Sequence, residues 1–394
     1  MRLRAKSLLG GDLLAAVAPL VAVILALAVG AVLILALGKN PIEAYSAMLD
    51  GAFGNVPSIL RTLTRATPLL LVAIGICIAF RGGVVNIGAE GQLFVGAISA
   101  TAFSLAVGDR LASWLFIPLT LLVGFAAGAL WGGVPGFLKA RFHVNEILST
   151  VMMNEIAIQL LLFLLGGPLI DPKEIEQGTR IRQTAQLPEG VWLPRLTDTA
   201  RDWAQRLGIE ADIQTSQLHT GLFIALGLAI VVYVLLWRTT IGYRIRAVGQ
   251  NRDAALYAGI SVPTYLLLSL LLSGGLAGIA GAVEVTGLTH RVVEGFAVGY
   301  GFSGIVVALF GRLHPVGAIP SAFLFGALLV GAEKMQRSLQ IPSATIIGLE
   351  GLVVLFVVSS DLWVRRRAAR RQVSSAAVPY APIPDAEPAA SQVR

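Results

Sequence analysis

Long runs of apolar residues, separated by short polar stretches, recur along most of the chain. Ten of these runs approach the roughly 20 residues that a helix needs to cross about 30 Å of hydrocarbon. They lie at 13–37, 59–80, 92–107, 114–137, 147–166, 218–237, 264–283, 299–311, 315–332 and 343–363. The pattern predicts an all-α polytopic membrane protein with about ten transmembrane helices. Two of the runs, 92–107 and 299–311, are short for a straight span, so a tilted, broken or re-entrant element remains open at each.

The composition agrees with a chain that is solvated mostly by lipid. Hydrophobic residues make up 56% of the 394 positions and charged residues 13%, whereas soluble domains carry about 25% charged residues. An ordinary soluble globule is therefore excluded. The single cysteine, Cys77, lies inside an apolar run, so neither an intrachain disulfide framework nor a cysteine-based metal site is expected. We expect no cofactor, no metal and no catalytic residue.

Basic residues near the ends of the runs set the expected orientation. With a cytoplasmic N-terminus, 17 of the 30 Lys and Arg residues lie inside, and seven lie outside once the six in the long segment 171–217 are set aside. Cytoplasmic ends of spans carry the excess of Lys and Arg. Both termini are therefore expected in the cytoplasm. The net charge of +7 follows from the same clusters, and no nucleic-acid partner is expected.

Polar stretches subdivide the chain. Residues 1–371 are expected to form one transmembrane domain, with 171–217 as an extracytoplasmic loop and 238–263 as a cytoplasmic loop. The first loop contains an apolar set at helical spacing that predicts one amphipathic helix. This set is Leu196, Ala200, Trp203 and Leu207. The tail at 372–394 lacks apolar periodicity and is expected to be disordered in the cytoplasm.

The long loop divides the spans into two sets of five, and an odd number per half makes the halves inverted repeats. Such repeats commonly place the substrate pathway beside Gly-interrupted segments at matching positions. Segments 81–91 and 295–304 fit this pattern, with a flexible loop at each place as the alternative. Small residues at every fourth position in 124–136 and 274–282 predict close helix packing.

Six polar or acidic side chains lie within or at the start of apolar runs. They are Asn86, Glu90, Gln92, Asn145, Asn154 and Glu155. A charge at the bilayer centre costs about 2.5–3.5 kcal/mol, so these side chains should face protein, a water-filled cavity or the membrane interface. A separation of nine residues puts Asn145 and Asn154 on one helical face. We expect the six to line a substrate pathway; helix capping or packing is the alternative for Glu90.

The polar segment 238–263 predicts a short helix. Asn251 is a suitable N-cap, 252–258 suffice for two turns, and Gly259 suits the C-terminal end. A helix this short is marginal in water, so docking on a partner and a solvated loop both remain open. The chain carries no Gly-x-x-x-x-Gly-Lys-Ser/Thr loop, so any ATP dependence requires a partner with such a site.

Five segments together resemble the permease subunits of bacterial ABC importers of the ribose and branched-chain amino acid type, in the branch that carries nucleosides or simple sugars. The segments are 86–92, 144–157, 244–260, 273–282 and 299–309. They occur in order within a resemblance that runs from about residue 12 to 363.

The resemblance implies a non-catalytic, multi-pass subunit of the bacterial cytoplasmic (inner) membrane. Its implied partners are a second homologous permease, a cytoplasmic ABC ATPase and an extracytoplasmic substrate-binding lipoprotein. The resemblance also implies that 244–260 carries the coupling helix for the ATPase, with Arg246, Asn251, Asp253, Leu256, Tyr257 and Gly259 as coupling residues. Arg252 departs from the Pro that related permeases often have there, which would loosen the helix start.

Nucleoside uptake is the expected function, and uptake of a ribose-like simple sugar by the same kind of importer is the first alternative. The amides of Asn86, Gln92 and Asn154 offer both donors and acceptors to a neutral polar ligand, but they do not distinguish a nucleoside from ribose. An ion-coupled secondary transporter remains a further alternative because acidic residues lie near the apolar runs. The last alternative is a membrane scaffold or receptor that transports nothing.

Overall fold

A computed structural model describes residues 21–179, 181–199, 201 and 216–342, with scattered positions between 345 and 359. Across this part of the chain the backbone is helical or irregular, apart from isolated β-bridges between Gln183 and Val293 and between Arg195 and His219. The chain divides into two units, residues 31–348 and residues 1–30 with 349–394.

Thirteen α-helices are numbered here among the described residues. They are α1 (Val21–Ala36), α2 (Pro41–Phe53), α3 (Val56–Arg81), α4 (Ala89–Val107), α5 (Ser113–Phe142), α6 (Glu146–Leu165), α7 (Pro172–Glu176), α8 (Gly221–Arg238), α9 (Thr240–Gln250), α10 (Arg252–Tyr257), α11 (Val262–Glu284), α12 (Tyr300–Phe310) and α13 (Pro315–Leu339). A π-helical turn, Val285–Thr289, extends α11.

Seven of these helices are long and apolar enough to cross a membrane: α3, α4, α5, α6, α8, α11 and α13. Two shorter apolar helices, α1 and α12, coincide with the predicted runs 13–37 and 299–311. The prediction of a polytopic all-α protein is confirmed. The tenth predicted run, 343–363, lies mostly outside the described residues, so the number ten stays a prediction. Because a helix rises 1.5 Å per residue, the 11 residues of α12 span only about 16 Å.

Helix α2 was not expected, because it lies between two apolar runs. Its start nevertheless has a local signal: the Asn40 side chain accepts a hydrogen bond from the Ile42 N–H at 3.0 Å, and Pro41 occupies the first helical position. The helix buries Met48 and packs on α13. A Cβ added at Gly51 would lie 2.6 Å from Lys334 Cβ.

The two stripes of small residues pack against each other within this chain. A Cβ added at Gly128 would lie 2.3 Å from the Gly274 oxygen, and one at Gly278 would lie 2.1 Å from the Gly124 oxygen. Backbones can approach this closely only where side chains are absent. The predicted close packing is therefore confirmed, and it joins α5 to α11.

The segment 171–217 folds back onto the loop after α11. The Leu187 N–H donates to the His290 oxygen at 2.8 Å, and the Leu193 N–H donates to the Thr286 oxygen at 3.0 Å. Helical backbone begins at Leu196, where the amphipathic helix was predicted. The other members of that helix, Ala200, Trp203 and Leu207, lie outside the described residues, as does the tail at 372–394.

Cys77 lies about one turn before the C-terminal end of α3 and is fully buried, with 0% of its surface exposed. Its neighbours along this helix are buried as well, since α3 packs on α11, α12 and α13. Helix α3 is thus the most deeply buried of the seven long apolar helices among the described residues.

Candidate functional site

Helical structure is interrupted at both of the Gly-rich segments that the sequence singled out. Helix α3 ends at Arg81 and α4 begins at Ala89, so residues 82–88 are not helical. Helix α12 begins only at Tyr300, after an irregular stretch in which Gly295, Ala297 and Gly299 adopt left-handed φ values of 80°, 51° and 91°. Non-helical backbone inside a membrane protein must find partners within the protein.

Glu90 joins the two interruptions. Its side chain is buried, with Oε1 accepting from the Gly299 N–H at 2.5 Å and Oε2 accepting from the Gly301 N–H at 2.6 Å. Gly301 approaches so closely that an added Cβ would lie 2.3 Å from the Glu90 nitrogen. The carboxylate therefore caps the N-terminus of α12, where free N–H groups and the helix dipole stabilise negative charge. The structure shows the capping geometry that the sequence left as the alternative for Glu90.

Asn86 and Gln92 form a reciprocal pair of hydrogen bonds across the first interruption. Asn86 Nδ2 donates to Gln92 Oε1 at 2.9 Å, and Gln92 Nε2 donates to Asn86 Oδ1 at 3.1 Å. Asn86 also donates to Ser273 Oγ on α11 at 2.9 Å and accepts from the Gly88 N–H at 3.0 Å. Both amides are fully buried. They satisfy the irregular backbone and tie it to the second half of the chain.

Asn154 on α6 holds the same segment from another side. Its Oδ1 accepts from the Gly91 N–H at 2.8 Å, and its Nδ2 donates to the Ile87 oxygen at 3.0 Å. The side chain is buried. Asn86, Glu90, Gln92 and Asn154 are thus brought together around one stretch of chain.

The structure does not bring Asn145 and Glu155 to this cluster. Asn145 precedes α6 and caps it by accepting from the Ile147 N–H at 3.0 Å, and its side chain is exposed. It does not share a buried face with Asn154, because the N-cap residue lies outside the helical repeat. Glu155 is the next residue after Asn154 on α6 and is exposed.

A polar cavity of about 470 Å³ opens at the other end of α3, far from Arg81. Its lining is Pro57, Arg61, Thr64, Arg65, Ser216, Gln217, Leu288, Val330, Glu333 and Arg337. Arg65 donates to Tyr300 Oη at 2.6 Å and to Glu333 at 3.0 Å, and lies 3.8 Å from Glu284. This cluster thus holds the side chain of the first residue of α12, while Glu90 holds backbone N–H groups beside it. The sequence predictions did not include this cluster, although two basic residues inside the apolar run 59–80, Arg61 and Arg65, were a signal for it.

The predicted short helix is present as α10. The Asn251 side chain accepts from the Ala254 N–H at 3.0 Å, and Gly259 after the helix has a left-handed φ of 75°. Ala255 is buried, whereas Leu256 and Tyr257 are 64% and 98% exposed. Asp253 is exposed in the first turn. Exposed apolar side chains on a short capped helix are typical of a docking surface.

Two arginines attach this region to the helical bundle. Arg246 Nε donates to the Leu236 oxygen at 2.9 Å, and its guanidinium lies 5.7 Å from the centre of the Trp237 ring. Arg252 Nη2 donates to the Gly83 oxygen at 2.8 Å. Arg252 is thus a contact to the first interruption that the sequence analysis did not foresee, and Arg246 has a packing role in this chain.

Among the described residues, no group of three His, Cys, Asp or Glu side chains is placed to hold a metal ion. Buried His219 and His290 lie near each other beside the loop after α11. Burial lowers the pKa of His219 to about 4, and burial also lowers the pKa of His290. Both imidazoles are therefore neutral at pH 7.

Residues 58–358 match the family described as branched-chain amino acid transport system, permease component. The chain is 37% identical over 343 residues to the guanosine ABC transporter permease protein NupP of Bacillus subtilis (strain 168), with 87% of this chain and 92% of that protein covered. It is 33% identical over 350 residues to the glucose ABC transporter permease protein TsgB13 of Haloferax volcanii, covering 89% and 88%. It is 32% identical over 345 residues to the nucleoside ABC transporter permease protein NupB of Lactococcus lactis subsp. cremoris, covering 86% and 89%.

No solved structure matches the chain. The family match covers most of the described helices and both interruptions, and the relatives are matched over nearly their whole lengths. The apolar helices agree with a subunit that crosses the membrane several times. The chain therefore belongs to this family of permease components and is a non-catalytic, multi-pass membrane subunit of an ABC transporter.

Proposed function

We propose that this permease takes up nucleosides and is driven by ATP hydrolysis in a partner subunit. The observation that carries the proposal is α10, a capped helix whose Leu256 and Tyr257 side chains project into solvent. Such side chains bind tightly when a partner supplies an apolar pocket. The relatives named for guanosine and for nucleosides support the cargo.

The proposed topology has ten spans in two inverted halves with both termini in the cytoplasm. Residues 1–371 then form the transmembrane domain, 171–217 an extracytoplasmic loop, and 238–263 the cytoplasmic coupling loop. The agreement of nine predicted runs with apolar helices supports this arrangement. The tail at 372–394 is proposed to be a disordered cytoplasmic extension.

The proposed assembly contains a second homologous permease, a cytoplasmic ABC ATPase and an extracytoplasmic substrate-binding lipoprotein in the bacterial inner membrane. Helix α6 supports a further membrane partner because its apolar side chains Met152, Ile156 and Phe163 are 50%, 52% and 68% exposed. Lipid and a second permease are the surroundings that suit this face. On α10, the proposed ATPase contacts are Asn251, Asp253, Leu256, Tyr257 and Gly259, with Arg246 holding the loop.

We place the substrate pathway beside the two interruptions of helical structure. Asn86, Glu90, Gln92 and Asn154 are proposed to shape this region by holding the irregular backbone, as their hydrogen bonds support. Asn145 and Glu155, which are exposed along α6, are proposed to face the pathway in the assembled transporter.

The test is uptake of labelled purine and pyrimidine nucleosides, ribose and glucose by cells with and without this chain. A parallel strain carries the partner ATPase with an inactivated nucleotide site. Nucleoside uptake is expected to be lost both in the strain without this chain and in the strain with the inactivated ATPase. Selective loss of sugar uptake would favour the second candidate, a sugar importer, which the likeness to a glucose permease protein supports. Uptake that persists without a working ATPase would refute the mechanism in favour of an ion-coupled carrier.

A further inference from the structure

Residues 82–92, here called the link segment, touch both the α10 region and α12. We propose that the link segment transmits movement of α10 to the half-helix α12, with Arg252 and Glu90 as its two attachment points. The inference rests on the proposed function, since it concerns how ATP hydrolysis at α10 reaches the substrate pathway. Both attachments are hydrogen bonds made by charged side chains, which are stronger than neutral ones.

The first attachment lies where α10 begins. Arg252 is the first residue of α10, and its guanidinium donates to the Gly83 oxygen at 2.8 Å. Gly249, just before α10, packs directly on the same place, since a Cβ there would lie 2.0 Å from the Arg81 oxygen and 2.8 Å from the Gly83 nitrogen. A displacement of α10 therefore acts on the start of the link segment through both an attractive contact and a steric one.

The middle of the link segment is braced. The Asn86–Gln92 pair closes a loop of the segment upon itself through two hydrogen bonds. Asn154 bonds the backbone on either side of Gly88, at Ile87 and Gly91. Buried amides with every polar atom paired resist local rearrangement, because breaking one bond leaves a buried group without a partner. A push at Gly83 is thus passed on to Glu90.

The second attachment controls a helix that is easy to move. Helix α12 has 11 residues, and the left-handed residues Gly295, Ala297 and Gly299 precede it. Both carboxylate oxygens of Glu90 hold its first N–H groups, while Arg65 holds the Tyr300 hydroxyl. When Glu90 shifts with α4, the N-terminus of α12 must follow or lose its cap.

The test uses the complete transporter in liposomes, with the ATPase and the binding protein, and measures nucleoside moved per ATP hydrolysed. Arg252→Ala and Glu90→Gln should each lower this ratio about tenfold, the loss expected when one charge-assisted hydrogen bond no longer favours one conformation. Basal ATP hydrolysis is recorded for each variant, so that a lower ratio is distinguished from a lost ATPase. Arg252→Lys, which keeps a charge and a donor, should recover part of the ratio. Arg141→Ala, which removes an exposed arginine at the end of α5, is the matched control.

The double variant distinguishes a shared link from two separate roles. Two breaks in one link should lower the ratio no further than the more damaging single change, whereas independent effects multiply. Multiplied losses, or an unchanged ratio in Arg252→Ala, would overturn the proposal. Glu90→Asp replaces Glu90→Gln if the latter complex fails to assemble. A wild-type complex without ATP-driven nucleoside uptake would instead refute the proposed function.

Discussion

The polar side chains buried around the two interruptions of helical structure are satisfied by groups from the chain itself. Asn86 is paired with Gln92 and Ser273, and Glu90 with the backbone of α12. Removing one partner of a buried hydrogen bond costs about 1–3 kcal/mol for each group left unpaired. These residues therefore stabilise the interrupted helices, and a direct contact with substrate remains a prediction for them.

His219, a buried residue two positions before the first residue of α8, should make stability depend on pH. Burial lowers the pKa of His219 to about 4 in the folded protein, whereas an unfolded chain retains about 6.5. Above pH 6.5 the imidazole is neutral in both states. As pH falls below 6.5, only the unfolded chain takes up the proton, so the folded state loses stability until about pH 4. The loss reaches about 1 kcal/mol at pH 5.5.

The purified permease should therefore melt at a lower temperature at pH 5.5 than at pH 7.5, and His219→Gln should reduce that difference. His143→Asn is the matched control, because His143 is exposed and its left-handed φ of 57° suits Asn. An equal pH dependence in wild type and His219→Gln would show that another group is responsible.

At the scale of elements, α10 stands apart from the other helices. It is six residues long and buries little beyond Ala255. A helix that short gains its stability from its cap and from what it docks on. Arg252, the first residue of α10, donates to the Gly83 oxygen and so anchors the start of the helix to the link segment.

Tyr257→Asp should uncouple ATP hydrolysis from transport while leaving membrane insertion intact, since the charge cannot enter an apolar pocket. Uptake should fall at least about tenfold, on the scale of an interface hot spot. The measurement is uptake by cells, with the amount of permease in isolated membranes as reference. Ile175→Asp, at an exposed apolar position on α7, is the control. Normal uptake by Tyr257→Asp would remove α10 from the ATPase interface.

Helices whose position depends on the local pattern of apolar residues and end signals were predicted from the sequence. The runs at 59–80 and 114–137 are long and apolar, which is sufficient to predict a helix at each. Asn251 and Gly259 mark the two ends of α10, so that helix could be predicted as well. Helix α2 was not predicted because its pattern of polar and apolar residues is short. Its packing surface on α13 is also far away along the chain. The partner of Glu90 could not be predicted, since the contact joins positions separated by 211 residues.

At the scale of the whole molecule, α5, which precedes the segment 171–217, and α11, which follows it, approach each other very closely. This contact depends on Gly124, Gly128, Gly274 and Gly278, whose missing side chains let the backbones touch. In lipid there is no hydrophobic drive to bring helices together, so such packing supplies much of the association energy. Each of these two helices thus contributes one smooth face.

Gly278→Ala should sharply reduce the amount of folded permease, because the new methyl group would lie 2.1 Å from the Gly124 oxygen. Overpacking of this kind costs about 1–3 kcal/mol or more. Gly227→Ala on α8 is the matched control, since no atom lies within 4 Å of the added carbon. Size-exclusion chromatography of fluorescently tagged protein measures both. Equal yields would show that α5 and α11 separate without penalty.

The deep burial of Cys77 has a practical consequence for the study of movement. The only thiol in the chain is shielded on every side within α3, so water-soluble maleimides cannot reach it while the protein stays folded. A cysteine placed at Val298, which is 69% exposed just before α12, would carry the sole reactive label. The protein can therefore be labelled at one introduced cysteine without first replacing Cys77.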